Sequence, residues 1–137
     1  MAMADDVILG KAETVNRCVK RIKEIYQGHE KDFLKNFDKQ DAVVLNLQRA
    51  CESSIDLAAH IVRIKHLGLP KISTDVFTLL ADNKIISDAL CKNMRAMVGF
   101  RNIAVHEYTK LDLNIVRNII ENHLSDFLNF IKVMLSL

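Results

Sequence analysis

Apolar residues recur every three or four positions along almost the whole chain, the spacing of helices that bury one face. The first stripe, Val7, Ile8, Lys11, Val15, Cys18, Val19, Ile22 and Ile25, predicts a helix from about Ala4 to Gln27, stopped at Gly28. A short helix from His29 to Phe37 carries Phe33, Leu34 and Phe37. The longest stripe follows, from Val43 to Ile64. Its helix has Asp38 as N-cap, with Asp41 close to the capping-box position. It ends at His66-Leu67-Gly68-Leu69-Pro70, with Gly68 at the left-handed position. Ser73 or Thr74 caps a short helix from Asp75 to about Ala81, and Ser87 caps the next. The last helix starts at Asp112, stapled by Leu111 against Ile115 or Val116, and runs unbroken almost to Leu137. The pattern predicts an all-α fold: one domain, residues 1–137, an antiparallel bundle of four main helices plus short ones. The long second helix and the last one are apolar over more than a narrow stripe, enough for part of that surface to seal a homodimer.

Composition supports the helices. With one Pro, four Gly and 50% hydrophobic residues in 137, the chain is poor in turn formers. Nineteen basic against seventeen acidic residues leave a net charge of +2, so nucleic acid would have to be held by a local patch. Arg17, Lys20, Arg21 and Lys23, continued by Lys31 and Lys35, form a basic face that is ordinarily a solvated one. Cys18, Cys51 and Cys91 are odd in number, far apart and set among helical apolar positions, as buried free thiols of a reducing compartment are. No secretory pattern opens the chain, and the apolar tail from Phe127 is too short to span a bilayer. The expectation is a cytoplasmic protein with no membrane association. Asp56 and His60 lie one turn apart and are expected as a surface ion pair. No His, Asp or Glu cluster has convincing metal-ligand spacing, so no metal site and no cofactor are expected.

Chemistry concentrates between Met97 and Tyr108. Leu90, Met94, Met97, Arg101, Ala104 and Tyr108 share one helical stripe, which points Arg101 where an apolar side chain belongs. Burying a guanidinium without an anionic partner is costly, so it needs an internal acid, Asp56 or Glu52, or a bound phosphate. A second stripe, Ala89, Ala96, Gly99 and Ile103, is small enough to admit another helix. His106 stands five residues after Arg101, about 140° round an ideal helix, so the pair cannot meet on one continuous helix. Either the helix ends near Val105, or a second subunit completes the site. Asn102, one turn before His106, is placed to orient the imidazole or to bind the same phosphate.

Arg101-Asn102, His106 and Tyr108 reproduce an R-x4-H-x-Y pattern, and the chain resembles the HEPN-domain ribonucleases that carry it. More closely it resembles the HepT toxins of two-component toxin–antitoxin systems, in Val44 to Glu52, Leu67 to Pro70, Val98 to His106 and Lys110-Leu111-Asp112. The resemblance implies an all-α HEPN-like homodimer whose two motifs face each other in an interfacial cleft. It also implies a metal-independent endoribonuclease and a nucleotidyltransferase antitoxin of the MntA type, which attaches AMP to the motif tyrosine, matched here by Tyr108. Arg101 and His106 are then the catalytic residues, with Asn102 in support. Attack by the 2′-hydroxyl confines the substrate to RNA and excludes DNA. Two rivals stand beside this reading. A non-catalytic helical interaction domain binding a nucleotidyltransferase explains the apolar surface but not Arg101 and His106. A metal-dependent hydrolase lacks a ligand set.

Overall fold

The structure is a computed structural model and describes residues 5–137. The expected first helical residue, Ala4, lies outside that range. Six α-helices follow one another: α1 (Asp6–Tyr26), α2 (Phe37–Ile64), α3 (Asp75–Asp82), α4 (Asp88–His106), α5 (Leu113–Asn122) and α6 (Leu124–Leu135). Single 3₁₀ turns, Phe33–Lys35 and Tyr108–Lys110, sit before α2 and before α5. Among the described residues there is no strand.

At 28 residues α2 is roughly 40 Å long and is the spine of the bundle. α1 packs along it most extensively, while α3, α4 and α6 take its other sides. Ile8, Val15 and Ile22 of α1 meet Val43, Leu47, Leu57 and Ile61 of α2 in one continuous core, completed by Phe77, Met94, Phe127 and Phe130. Phe77 and Phe130 stack edge to face at 5.5 Å. None of these helices is long and apolar enough to cross a membrane.

Helix ends differ from expectation where the backbone found another partner. α1 starts behind Asp5, whose Oδ1 accepts from Val7 N at 2.7 Å, and its buried stripe runs through Ala12. Val7 is exposed, and Lys11 turns to Asp56 on α2 at 3.0 Å. Asn36, not Asp38, caps α2, its Oδ1 accepting from Lys39 N at 3.0 Å; Asp38 lies in the first turn. The expected helix from His29 to Phe37 is the single turn around buried Phe33, and Phe37 is 77% exposed. At the other end of α2 the left-handed residue is His66, with φ 54°. Leu67 N donates to Val62 O and His66 N to Arg63 O, the paired closure of a Schellman cap. Gly68 follows at φ 137°, where a β-carbon would lie 2.9 Å from a Leu79 side-chain carbon. The expected Asp56–His60 pair does not form. His60, 8% exposed, meets Asp5 at 2.6 Å, and its other ring nitrogen faces Arg63 at 3.2 Å.

The last helix is two helices. At His123 the backbone leaves helical geometry (φ −127°, ψ 0°), and its imidazole bonds Asp126 at 2.9 Å in the first turn of α6. Buried Ile120, Leu124 and Phe127 keep helical spacing across the break, so the apolar pattern runs on where the backbone does not.

Candidate functional site

Ser87 opens α4, its hydroxyl accepting from Leu90 N at 3.1 Å. Met94, Met97 and Ala104 face inward on the stripe that also carries Arg101. The Arg101 side chain is 28% exposed, and its charge is met on α2 by Glu52. Glu52 Oε1 lies 3.3 Å from Arg101 Nε and 3.2 Å from Arg101 Nη2. The same oxygen accepts from Gln48 Nε2 at 3.2 Å. One edge of the guanidinium is thus fixed, while Nη1 on the other edge donates to Asn102 Oδ1 at 3.2 Å. Of the two acids expected for this arginine, Glu52 takes it. Asp56 is engaged by Lys11.

The helix then stops on the motif itself. His106 is the last residue of α4, and Glu107 leaves the helical region (φ −141°, ψ 47°) while its N–H donates to Ile103 O at 2.8 Å. His106 is exposed, and among the described residues no side chain hydrogen-bonds its imidazole. Because α4 is regular through His106, Arg101 and His106 leave it in directions about 140° apart. One chain therefore does not place its arginine and its histidine side by side. Asn102 turns to Arg101, not to the imidazole.

Tyr108 is not on the inward stripe of α4, because α4 has already ended. It opens the 3₁₀ turn Tyr108–Lys110, is 46% exposed, and donates its phenolic hydrogen to Asp41 Oδ1 on α2. Loss of surrounding water, then the Asp41 hydrogen bond and charge, hold the phenol protonated, its pKa pushed up to about 12. Sequence reasoning placed Asp41 as a capping residue and missed this partner. Nothing local marks it, since the two residues are 67 positions apart.

Beside the motif lies a groove of about 410 Å³ between α4 and α5, lined by Met97, Gly99, Phe100 and Ile103 on one side and Leu111, Ile115 and Ile119 on the other. The small stripe expected to receive a helix forms part of its wall: Ala96, Gly99 and Ile103 are exposed, and a β-carbon on Gly99 would meet nothing within 4 Å. The basic residues Arg17, Lys20, Lys31 and Lys35 are solvated. Cys18, Cys51 and Cys91 are buried and free. No group of three or more His, Cys, Asp or Glu among the described residues is placed to hold a metal ion.

Known proteins resemble the chain in sequence and in fold. The chain is 49% identical over 130 residues to the mRNA nuclease HepT of Shewanella oneidensis, spanning 95% of this chain and 97% of that protein. It is 27% identical over 108 residues to the tRNA nuclease HepT of Aphanizomenon flos-aquae, spanning 79% of this chain and 74% of the other. The fold superimposes on the tri-AMPylated Shewanella oneidensis HEPN toxin, solved in complex with an MNT antitoxin, with a TM-score of 0.90 at 48% identity, covering 95% of this chain and 97% of that one. The family profile described as Ribonuclease HepT-like matches residues 15–134, from the buried stripe of α1 to the last turn of α6 and across the whole motif. The chain belongs to the ribonuclease HepT-like family.

Proposed function

We propose that this chain, acting over residues 1–137 as one helical domain, is the toxin of a type VII-like toxin–antitoxin pair: a cytoplasmic, metal-independent endoribonuclease. The observation that carries the reading is the arrangement at the end of α4. Arg101 is oriented by Glu52 at a half-buried position, and His106 is free and exposed where the helix stops.

The chemistry follows from those two groups. The 2′-hydroxyl of RNA attacks the adjacent phosphorus, the 2′-O–P bond forms and the P–5′-O bond breaks, leaving a cyclic phosphate and a free 5′-hydroxyl. One proton must leave the nucleophile and one must reach the departing oxygen, tasks for a positioned imidazole worth about 10²–10⁴-fold in rate. Arg101 supplies fixed positive charge to the crowded phosphorane, an effect of about 3–4 kcal/mol for a well-placed donor. One chain offers one such histidine. A homodimer pairing α4 against α4 through the bare Ala96, Gly99 and Ile103 face would bring two His106 residues to one cleft, one for each proton transfer, with Asn102 beside each arginine.

Tyr108 is the control point. Tyr108 is 46% exposed two residues past His106, and an AMP group there would add a bulky anion at the end of the motif, opposing RNA by charge and bulk. A nucleotidyltransferase antitoxin of the MntA type supplies it. The test is cleavage of purified RNA in EDTA by wild type, Arg101→Ala and His106→Ala. Cleavage by wild type and its loss in both folded variants is the expected result. A wild type that binds nucleotidyltransferase but leaves RNA intact would instead identify an interaction domain.

A further inference from the structure

We infer that Asp41 is the general base for adenylylation of Tyr108, so that the toxin itself carries part of the catalytic apparatus for its own silencing. This deepens the reading of Tyr108 as the AMP acceptor and rests on it.

The geometry is specific. Tyr108 sits on a short turn with no buried residue, held against α2 by the hydrogen bond from its hydroxyl to Asp41 Oδ1. Glu107 and Lys110 flank Tyr108 in the same turn and pair with each other at 3.4 Å, and on α2 Lys39 reaches Asp32 at 3.3 Å. Asp41 is exposed, and among the described residues Tyr108 is its hydrogen-bond partner, so its second oxygen is open to water. The carboxylate therefore touches the oxygen that must react and has a route for passing a proton to solvent.

The reaction needs such a group. A phenol held protonated is a poor nucleophile toward phosphorus, and Tyr108 is held protonated far above neutrality. The partner nucleotidyltransferase brings a nucleoside triphosphate. The Tyr108 oxygen attacks its α-phosphorus, the Oη–Pα bond forms, the Pα–O–Pβ bond breaks, and pyrophosphate leaves. The phenolic proton passes to Asp41 as the bond forms and then to water. The same contact that raises the phenol's pKa at rest becomes productive in the transition state, where the oxygen has lost electron density to phosphorus and its proton is acidic. The product cannot restore the contact. An aryl phosphodiester has no proton to donate, and its anion repels the carboxylate, so the modified side chain is pushed off α2.

The experiment compares Asp41→Asn with wild type and Tyr108→Phe, each purified without the antitoxin and then incubated with ATP, Mg²⁺ and separately purified nucleotidyltransferase antitoxin of the MntA type, with AMP uptake read by intact mass over time and pH. Asparagine keeps an oxygen able to accept the hydrogen bond but not the proton, so a purely structural anchor would leave the rate unchanged. The expected result is a fall of about 10²-fold or more in the rate. The residual rate should climb about tenfold per pH unit on the alkaline side, where phenolate forms without help. Circular dichroism and RNA cleavage by unmodified Asp41→Asn should match wild type, because Asp41 contacts neither Arg101 nor His106. If Asp41→Asn is modified at the wild-type rate with a parallel pH profile, the assignment of Asp41 fails while Tyr108 stands. If wild type takes up no AMP, or Tyr108→Phe takes up as much, the acceptor reading itself fails and Asp41 falls with it.

Discussion

Arg101 on α4 and Glu52 on α2, 49 positions apart, hold each other through a single carboxylate oxygen that two guanidinium nitrogens approach at 3.2 and 3.3 Å. The pair is part exposed, 28% and 39% for the two side chains, so it contributes under about 1 kcal/mol to stability. Its effect is orientation: the arginine is fixed along one edge, and on the proposed reading it is aimed before any phosphate arrives.

That division of labour makes Glu52→Gln informative. The amide keeps the oxygen that accepts both N–H groups but removes the charge that competes with phosphate, so the KM for RNA should fall. The guanidinium is then held more weakly, and kcat should fall by several-fold, or about tenfold in Glu52→Ala, where the hold is lost. A thermal midpoint close to wild type would show that the fold is untouched. A rise in kcat would mean that Glu52 merely restrains the arginine and does not aim it.

Gly99 tests the assembly. It lies mid-helix on the face of α4 that borders the open groove, with no atom near the position of a β-carbon. Gly99→Leu should therefore be accommodated within one chain and relieve about 0.5–1 kcal/mol of helix cost. Between two closely packed copies of α4 the same side chain would not fit. The expected outcome is a folded monomer in sedimentation with RNA cleavage lost. A variant that remains a dimer and cuts RNA at the wild-type rate would remove this face from the site.

The sequence showed which helix carries the candidate residues and which way Arg101 faces, and the reason is periodic: Met94, Met97, Arg101 and Ala104 hold their spacing whatever they touch, and all four are buried or half-buried. It narrowed the arginine's partner to two acids on α2 but could not choose, because the choice depends on the phase of one helix against another. Tyr108 was misplaced by extrapolation. α4 ends at His106 with no Gly or Pro to announce it, so a stripe drawn onward from Ala104 overshoots the helix. The break at His123 was hidden for the opposite reason, since the apolar spacing is preserved across it. Asp41 had no local signal, because a side-chain bond across 67 residues is a product of the finished packing.

The cysteines offer a readout of that packing. Cys51 is fully enclosed, its thiol 3.5 Å from Met97 O behind the motif. Burial raises the pKa of all three thiols above the ordinary value, most strongly for Cys51. Little thiolate is present at neutral pH, and reagent cannot reach it. An aromatic disulfide reagent should leave native protein unlabelled on the timescale on which it labels three thiols in denaturant. Cys91, at 7% exposure, should react first as the structure opens. Prompt labelling of Cys51 in native protein would contradict the packing of α2 against α4.

The start of α1 should give way in acid. Asp5 is fixed first by the hydrogen bond from His60, and also by those from the backbone N–H groups that begin the helix, all of which lower its pKa against the opposing effect of burial. Its folded pKa is below the ordinary 3.8, so the unfolded chain binds the extra proton more readily. The stabilisation is complete above pH 3.8 and is lost as the pH falls from there through the lower folded value. Removing the carboxylate with Asp5→Asn should lower the thermal midpoint at pH 7 while shrinking its fall between pH 4 and pH 2. His60→Gln should act in the same direction with a smaller effect, because the backbone bonds to Asp5 remain. Parallel melting curves for wild type and Asp5→Asn across that acid range would show that Asp5 is not held as described.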